Sequence, residues 1–465
     1  MANLNKVNEE KMEEILDEIL QENISVETFQ EVAARSLETA EYDKVNQLLL
    51  QHYNKKVGYN FQDAVRQELK LMVNEKMLGL GTKRSVIREI FEYGNKRRSE
   101  IGAENVFDFS LGNPSIPAPD EVKEAMVSLI ENTDPKKLHG YTSAQGDLGV
   151  RTAIADSINE RFGIGATPNL LYMTCGAAAS LTISLNAILN EGNEVIILAP
   201  FFPEYTVFVE KAGGKCKIVK CREEDFQIDF AALEEAVTDK TRAVIVNSPN
   251  NPSGVVFSKD TIEKLANLLT EKQEELGTQI HIIADEPYRE LVYGDVEVPY
   301  IPQFYDNTIV CYSYSKSLSL PGERLGYIFV SPKSENCGEI YAAVCGAGRA
   351  LGYVCAPSLL QYTVAKCQGL TGDIEAYKTN RDILYNALTE YGYTCAKPDG
   401  AFYLFVKSPE ADANALCEKA KEEEILIVPG DDFGFKGYVR ISYCVAKETI
   451  EKSLPGFKRL IENYR

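Results

Sequence analysis

The chain has 465 residues, 45% of them hydrophobic, which is enough to bury a large core and to divide into two or three domains. A formal net charge of -20 and a pI of about 4.8 argue against nucleic acid and anionic membrane as partners, so an anionic small substrate needs a local basic site. Eleven cysteines between Cys175 and Cys444 include no CxxC pair, and there are only three histidines, which argues for reduced thiols and against a disulfide framework, a zinc site or a histidine-rich metal centre.

Residues 1–75 differ in texture from the rest. Met12, Ile15, Leu16, Ile19 and Leu20 form one helical stripe, followed by Phe29, Val32 and Ala33, then by Val45, Leu48 and Leu49. The pattern predicts several short amphipathic helices. The opening MANLNKVNEEKMEEILDEIL has neither a basic leader region nor a continuous apolar stretch, and nowhere do about 18 uncharged apolar residues run together, so a cytoplasmic protein is expected.

From Gly112 onward the pattern becomes strand, loop, helix, repeated. Apolar runs at Leu170 to Met173, Val195 to Leu198, Ala243 to Val246 and Ile280 to Ala284, the last broken only by His281, read as strands buried on both faces, and Ile309, Val310 and Cys311 as another, ending at Tyr312. Between them SKDTIEKLANLL carries Ser258 as an N-cap and Ile262, Leu265, Leu268 and Leu269 on one face. Strands alternating with helices predict an α/β fold with a mostly parallel sheet and helices on both sides.

Open α/β sheets place their ligand sites beyond the carboxyl ends of the strands, and chemistry-bearing residues collect there. TCGAAASL turns at Gly176 into a helix whose N-terminus is an anion site by geometry. APFFPEY brings the flat face of Phe202, NSPNNPSG an irregular amide-rich loop, and DEPY the Asp285 carboxylate and the Tyr288 phenol. SYSKSLSLPGER adds a single amine, Lys316, among serines and ahead of Arg324. Taken singly these have plain structural readings: Asp285 as a helix cap, and the serines and asparagines as partners of their own backbone. Together they supply an amine for a Schiff base, a carboxylate, phenol and amide donors, a stacking surface and a phosphate cradle, which is the set pyridoxal phosphate uses.

On these ordered motifs the chain from about Leu80 to its end resembles a class I/II aminotransferase of the fold-type I pyridoxal-phosphate-dependent superfamily. The resemblance implies a helical N-terminal extension (1–75), a large cofactor domain (120–375) with a mostly parallel central sheet, and a smaller α/β domain built from 76–119 and 376–465. It implies that Lys316 carries pyridoxal 5'-phosphate and shuttles a proton, that Asp285 pairs with the pyridine nitrogen, and that Tyr288 and Asn251 hydrogen-bond the ring's phenolic oxygen. Phe202 takes the stacking position. Ser313, Arg324 and the backbone N–H groups of Gly176 and Ala177 take the phosphate, joined by Tyr141 of GYTSAQG from a neighbouring subunit, which implies a homodimer with shared sites. Arg440 in GYVRIS and Gly112 in LGNP match the contacts to the substrate α-carboxylate.

The reaction so implied is transamination between an amino acid and a 2-oxo acid. A lyase or β-decarboxylase on the same fold is the alternative, and a transcription regulator with an aminotransferase-like domain is a third. Residues 1–75 hold 8 Lys plus Arg against 15 Asp plus Glu, a poor composition for a DNA-contacting module. Substrate choice receives two signals. Ala178 stands where some aspartate-using relatives carry a lysine. Arg349 in GAGRALGYVCAP stands near the region from which others send an arginine across the dimer to a side-chain carboxylate, and it reads equally as a structural arginine.

Overall fold

The computed structural model describes residues 73–82 and 86–465, so the helical stripes expected before residue 50 lie outside the described residues. The chain divides into two compact units, Met1–Arg84 and Ser85–Arg465. In the first, the described element is a helix over Glu75–Thr82, opened by Asn74, whose Oδ1 accepts a hydrogen bond from the Met77 N–H at 3.1 Å.

The second unit is built on a seven-stranded sheet. In chain order, after a two-residue strand β1 (Phe107–Asp108), its strands are β2 (Leu171–Thr174), β3 (Glu194–Ala199), β4 (Lys215–Lys220), β5 (Thr241–Asn247), β6 (His281–Asp285), β7 (Thr308–Ser313) and β8 (Gly326–Val330). They lie in the order β2-β8-β7-β6-β5-β3-β4. Strands β3 to β7 pair parallel, while β8 runs antiparallel between β2 and β7. Four of the apolar runs read from the sequence fall in the parallel strands β3, β5, β6 and β7, and the fifth is β2, which pairs antiparallel with β8. The runs in the parallel strands are apolar because both faces are covered. Ile196, Leu198, Val244, Val246, Ile282 and Ala284 enter one core. Their neighbours Val195, Ile197, Ala243, Ile245 and Ile283 enter the core on the opposite face. The helix read behind Ser258 spans Lys259–Leu276, with the Ser258 side chain accepting from Thr261 N and with Ile262, Leu265 and Leu269 buried.

A second sheet follows, formed by β9 (Thr394–Cys395), β10 (Tyr403–Lys407), β12 (Val428–Pro429) and β13 (Tyr438–Ser442) in the order β12-β13-β10-β9, all antiparallel. The strand β11 (Ile425–Leu426) pairs parallel with β1. A third apolar core, with Tyr377, Leu384, Phe402, Ile441 and Phe457, packs around this region. Two consequences matter for the site. The carboxyl ends of β2, β3, β5, β6 and β7 share one edge of the large sheet, and β10 and β13 present one face on which Tyr403, Phe405, Arg440 and Ser442 stand together.

Candidate active site

Strand β7 runs to Ser313, one residue beyond the expected end, and then breaks into a single helical turn, Tyr314–Ser317. Ser313 caps that turn by accepting from Ser315 N at 3.2 Å, which presents Lys316 just past the strand. The Lys316 amine donates to the Gly112 carbonyl at 2.5 Å and lies 5.4 Å from the centre of the Phe402 ring. Burial, helped by the positive charges of Arg324 and Arg440, lowers its pKa from 10.5 to about 8.

Asp285 ends β6 and is buried. Burial, with the nearby Glu286 charge, raises its pKa to about 7 even though Tyr205 donates a short hydrogen bond to Oδ2. Its other oxygen, Oδ1, is buried without a partner among the described residues. Asn247, at the end of β5, ties the neighbouring loop to the backbone at Asp285: its Nδ2 donates to the Asp285 main-chain carbonyl at 2.9 Å, and its Oδ1 accepts from Asn251 N at 2.8 Å. Tyr288, three residues on from Asp285, is buried and shares a 2.9 Å hydrogen bond with the hydroxyl of Tyr403. Phe202 lies at the same edge beyond β3, its ring edge-on to Tyr205 at 5.7 Å.

An anion cradle stands at the start of the helix Ala177–Ile188. Gly176 caps this helix at φ +89°, a conformation that favours glycine, and a Cβ there would come within 2.8 Å of the Arg324 guanidinium. Arg324 Nη1 donates to Ser315 Oγ at 3.3 Å, and Ser313 Oγ donates to the same oxygen at 2.8 Å. Backbone N–H groups, an arginine and two serines thus face one small volume, as an oxyanion requires.

Arg440 on β13 forms the other wall. Its Nη1 donates to Asn251 Oδ1 at 3.2 Å and its Nη2 to the Ser110 carbonyl, while Nε is buried without a partner among the described residues. The guanidinium lies 4.8 Å from the Tyr403 ring centre and 4.9 Å from that of Phe433. Gly112 closes on this wall: a Cβ on it would sit 2.0 Å from the Tyr403 hydroxyl, so only glycine admits the approach. Cys444 lies beside Lys316 and Arg440, its thiol donating to the Leu111 carbonyl at 3.5 Å and pushed up to about 12 by burial.

Lys316, Asp285, Tyr288, Asn251, Ser313, Arg324, Gly176, Ala177, Phe202, Arg440 and Gly112 therefore line one edge and its facing wall. Two expected residues are not drawn in. Tyr141 is 98% exposed, and Arg349 ends the helix Cys337–Ala350, exposed and with no side-chain hydrogen bond or ion pair among the described residues. Conversely, Tyr205, Asn247, Tyr403 and Cys444 belong to the site and escaped the sequence reading. Tyr205 closes APFFPEY and Asn247 opens NSPNNPSG, so both stood inside motifs already read, with no role assigned to them. Tyr403 and Cys444 carry no local signal.

The donor set fits pyridoxal phosphate: Asp285 Oδ1 lacks a partner where a protonated ring nitrogen is to be held, and the Gly176 cradle suits a phosphate. Fold and site define an α/β enzyme of the pyridoxal-phosphate type. Comparison with known proteins then identifies the family. Residues 104–455 match the family described as aminotransferase class I and II, and the chain belongs to it. A probable aspartate aminotransferase of Methanocaldococcus jannaschii is 31% identical over 389 residues, covering 82% of this chain and 98% of that protein. An aromatic-amino-acid aminotransferase of Thermococcus litoralis is 29% identical, covering 81% of this chain and 96% of that protein. The crystal structure of an amino transferase from Eubacterium rectale is 58% identical, with a TM-score of 0.83 over 84% of this chain and 99% of that one. The protein is a pyridoxal-phosphate-dependent aminotransferase that moves an amino group between an amino acid and a 2-oxo acid. No helix among the described residues is long and apolar enough to cross a membrane.

Proposed function

We propose that Lys316 is the residue that carries the cofactor and moves the substrate proton in this transaminase. The observation that supports it is one amine, brought to a pKa of about 8 by burial, at the same sheet edge as a buried carboxylate with one unpartnered oxygen. When bound, pyridoxal phosphate supplies an aldehyde that condenses with amines and a ring that accepts electrons from the substrate Cα. Lys316 Nζ, its pKa lowered to about 8, would serve as nucleophile and as the base that takes the Cα proton and returns it. Asp285 holds a proton on the ring nitrogen through Oδ1. Tyr288 and Asn251 are donors to the ring oxygen, and the Asn251 Oδ1 bond to Arg440 leaves its Nδ2 hydrogens for that task. Phe202 stacks on the ring. Ser313, Arg324, Gly176 and Ala177 bind the phosphate. Arg440 binds the substrate α-carboxylate in its planar fork, and Gly112 closes over it.

The same reading makes the enzyme a cytoplasmic homodimer in which an exposed Tyr141 reaches the neighbouring subunit's phosphate, with a small domain formed by 76–119 and 376–465. Relatives named for aspartate, aromatic amino acids and prephenate support donors that carry either a second carboxylate or an aromatic ring. Arg349 reads either as a contact to a side-chain carboxylate across the dimer or as a structural arginine, and its replacement separates the two. Borohydride reduction of the yellow holoenzyme followed by peptide mapping tests the central assignment: the reduced cofactor is expected on Lys316, and recovery on any other lysine overturns it.

A further inference from the structure

Tyr403 is a buried phenol that touches both ends of the site. Its hydroxyl is 2.9 Å from that of Tyr288, and its ring face carries the Arg440 guanidinium at 4.8 Å. The contact with Arg440 follows from register: on the shared face of β10 and β13, Tyr403 opposes Ser442 and Phe405 opposes Arg440, which places Tyr403 and Arg440 on a diagonal. The close approach of Gly112, whose carbonyl receives the Lys316 amine, leaves the Tyr403 hydroxyl little room to move.

Two hydroxyls that share one hydrogen bond must divide the roles of donor and acceptor. Among the described residues the Tyr403 hydroxyl has no other hydrogen-bond acceptor than the Tyr288 oxygen. The charge of Arg440 against the Tyr403 ring also matters. Burial raises both phenols and the Arg440 charge opposes that rise. In the proposed site the single Tyr288 proton is needed at the cofactor's ring oxygen, which leaves the Tyr403 proton for the shared 2.9 Å bond.

We infer that Tyr403 is a positioning residue that donates to the Tyr288 oxygen, thereby directing the Tyr288 proton to the cofactor's ring oxygen, while its ring holds Arg440 flat for the substrate carboxylate. The inference rests on the proposed roles of Lys316, Tyr288 and Arg440. A hydroxyl that accepts a hydrogen bond becomes a stronger donor, so Tyr403 acts on the cofactor only through Tyr288.

The test is a pH titration of the visible absorption of the resting holoenzyme, together with steady-state kinetics. Tyr403→Phe keeps the ring and removes the hydroxyl. It is expected to raise the midpoint of the absorption change by about half a unit or more, with KM for the amino acid within about twofold of wild type. Tyr403→Leu removes the ring as well and adds a roughly tenfold rise in KM, the loss expected of a desolvated cation–π contact. In a Tyr288→Phe background the Tyr403→Phe effect on the midpoint disappears. An unchanged midpoint in Tyr403→Phe, a lowered one, which means that Tyr288 donates to Tyr403, or an effect that persists without the Tyr288 hydroxyl overturns the inference. Absence of the Lys316-bound absorption band in wild type is a different failure: it refutes the assignment of the site itself.

Discussion

The edge of the large sheet and the wall made by the small sheet face the same volume with unlike construction. At the edge, functional groups sit within a few residues of strand ends, and backbone geometry aims them: Gly176 at positive φ, Ser313 as a cap, and Lys316 in the turn that the cap opens. At the wall, Arg440 and Tyr403 stand on the faces of two strands and hold each other, Arg440 being held also by Asn251 and Tyr403 by the hydroxyl of Tyr288. A group aimed by backbone is set by local sequence, whereas a group aimed by side-chain contacts depends on pairing between distant segments. Damage should differ accordingly: substitutions at the edge remove cofactor chemistry, and those at the wall weaken substrate binding.

Lys316→Ala is expected to have the largest effect, abolishing the visible band and lowering turnover by about 10³-fold or more, as loss of a nucleophile that is also the base requires. Single-turnover kinetics with the purified variant checks it. Arg440→Leu sharpens the contrast by leaving the band in place. Removing one partner of a buried charge pair costs about 2–5 kcal/mol, so kcat/KM should fall roughly 10²–10³-fold for every amino acid donor. Arg349→Ala separates donors. If Arg349 reads a side-chain carboxylate, kcat/KM for aspartate or glutamate falls by about 10²-fold while that for alanine or phenylalanine is spared. A uniform loss assigns Arg349 to the fold and leaves neutral or aromatic donors as the preferred class.

Gly176→Ala probes the edge more gently. The added Cβ meets the Arg324 guanidinium at 2.8 Å in a backbone conformation unsuited to alanine, so the apparent Kd for the cofactor should rise by about tenfold with little change in KM for the amino acid. The smallest effect is on the cofactor-free protein. The Lys316 pKa is lowered from 10.5 to about 8, so the folded state disfavours the charged amine. That penalty is complete below about pH 8 and is relieved as the pH rises toward 10.5. The melting temperature of the wild type relative to Lys316→Met should therefore climb by a few degrees across that interval, and a difference that stays flat or falls shows that the amine is not desolvated.

Much of the edge was legible because its signals are short-range. Apolar runs mark strands covered on both faces, Gly176 and the prolines of NSPNNPSG mark turns, and the spacing of Ser313, Lys316 and Arg324 lies within one strand, turn and returning strand. The strand that runs the other way, β8, left no expectation, since direction in a sheet is decided by connections and pairing rather than by composition. Arg440 could be placed on a strand, but only as one residue matched to a family motif.

Local chemistry thus determined where strands end and which groups stand in the turns beyond them, because φ preferences, caps and apolar periodicity act over a few residues. Tertiary structure alone decided that Tyr205 reaches Asp285 across 80 residues, that Tyr403 meets Tyr288 across 115, and that Arg440 meets Asn251 across 189. Those pairs depend on strand order and on the register between β10 and β13, which follow from how distant segments bury their faces together, a quantity that no short stretch of the chain contains.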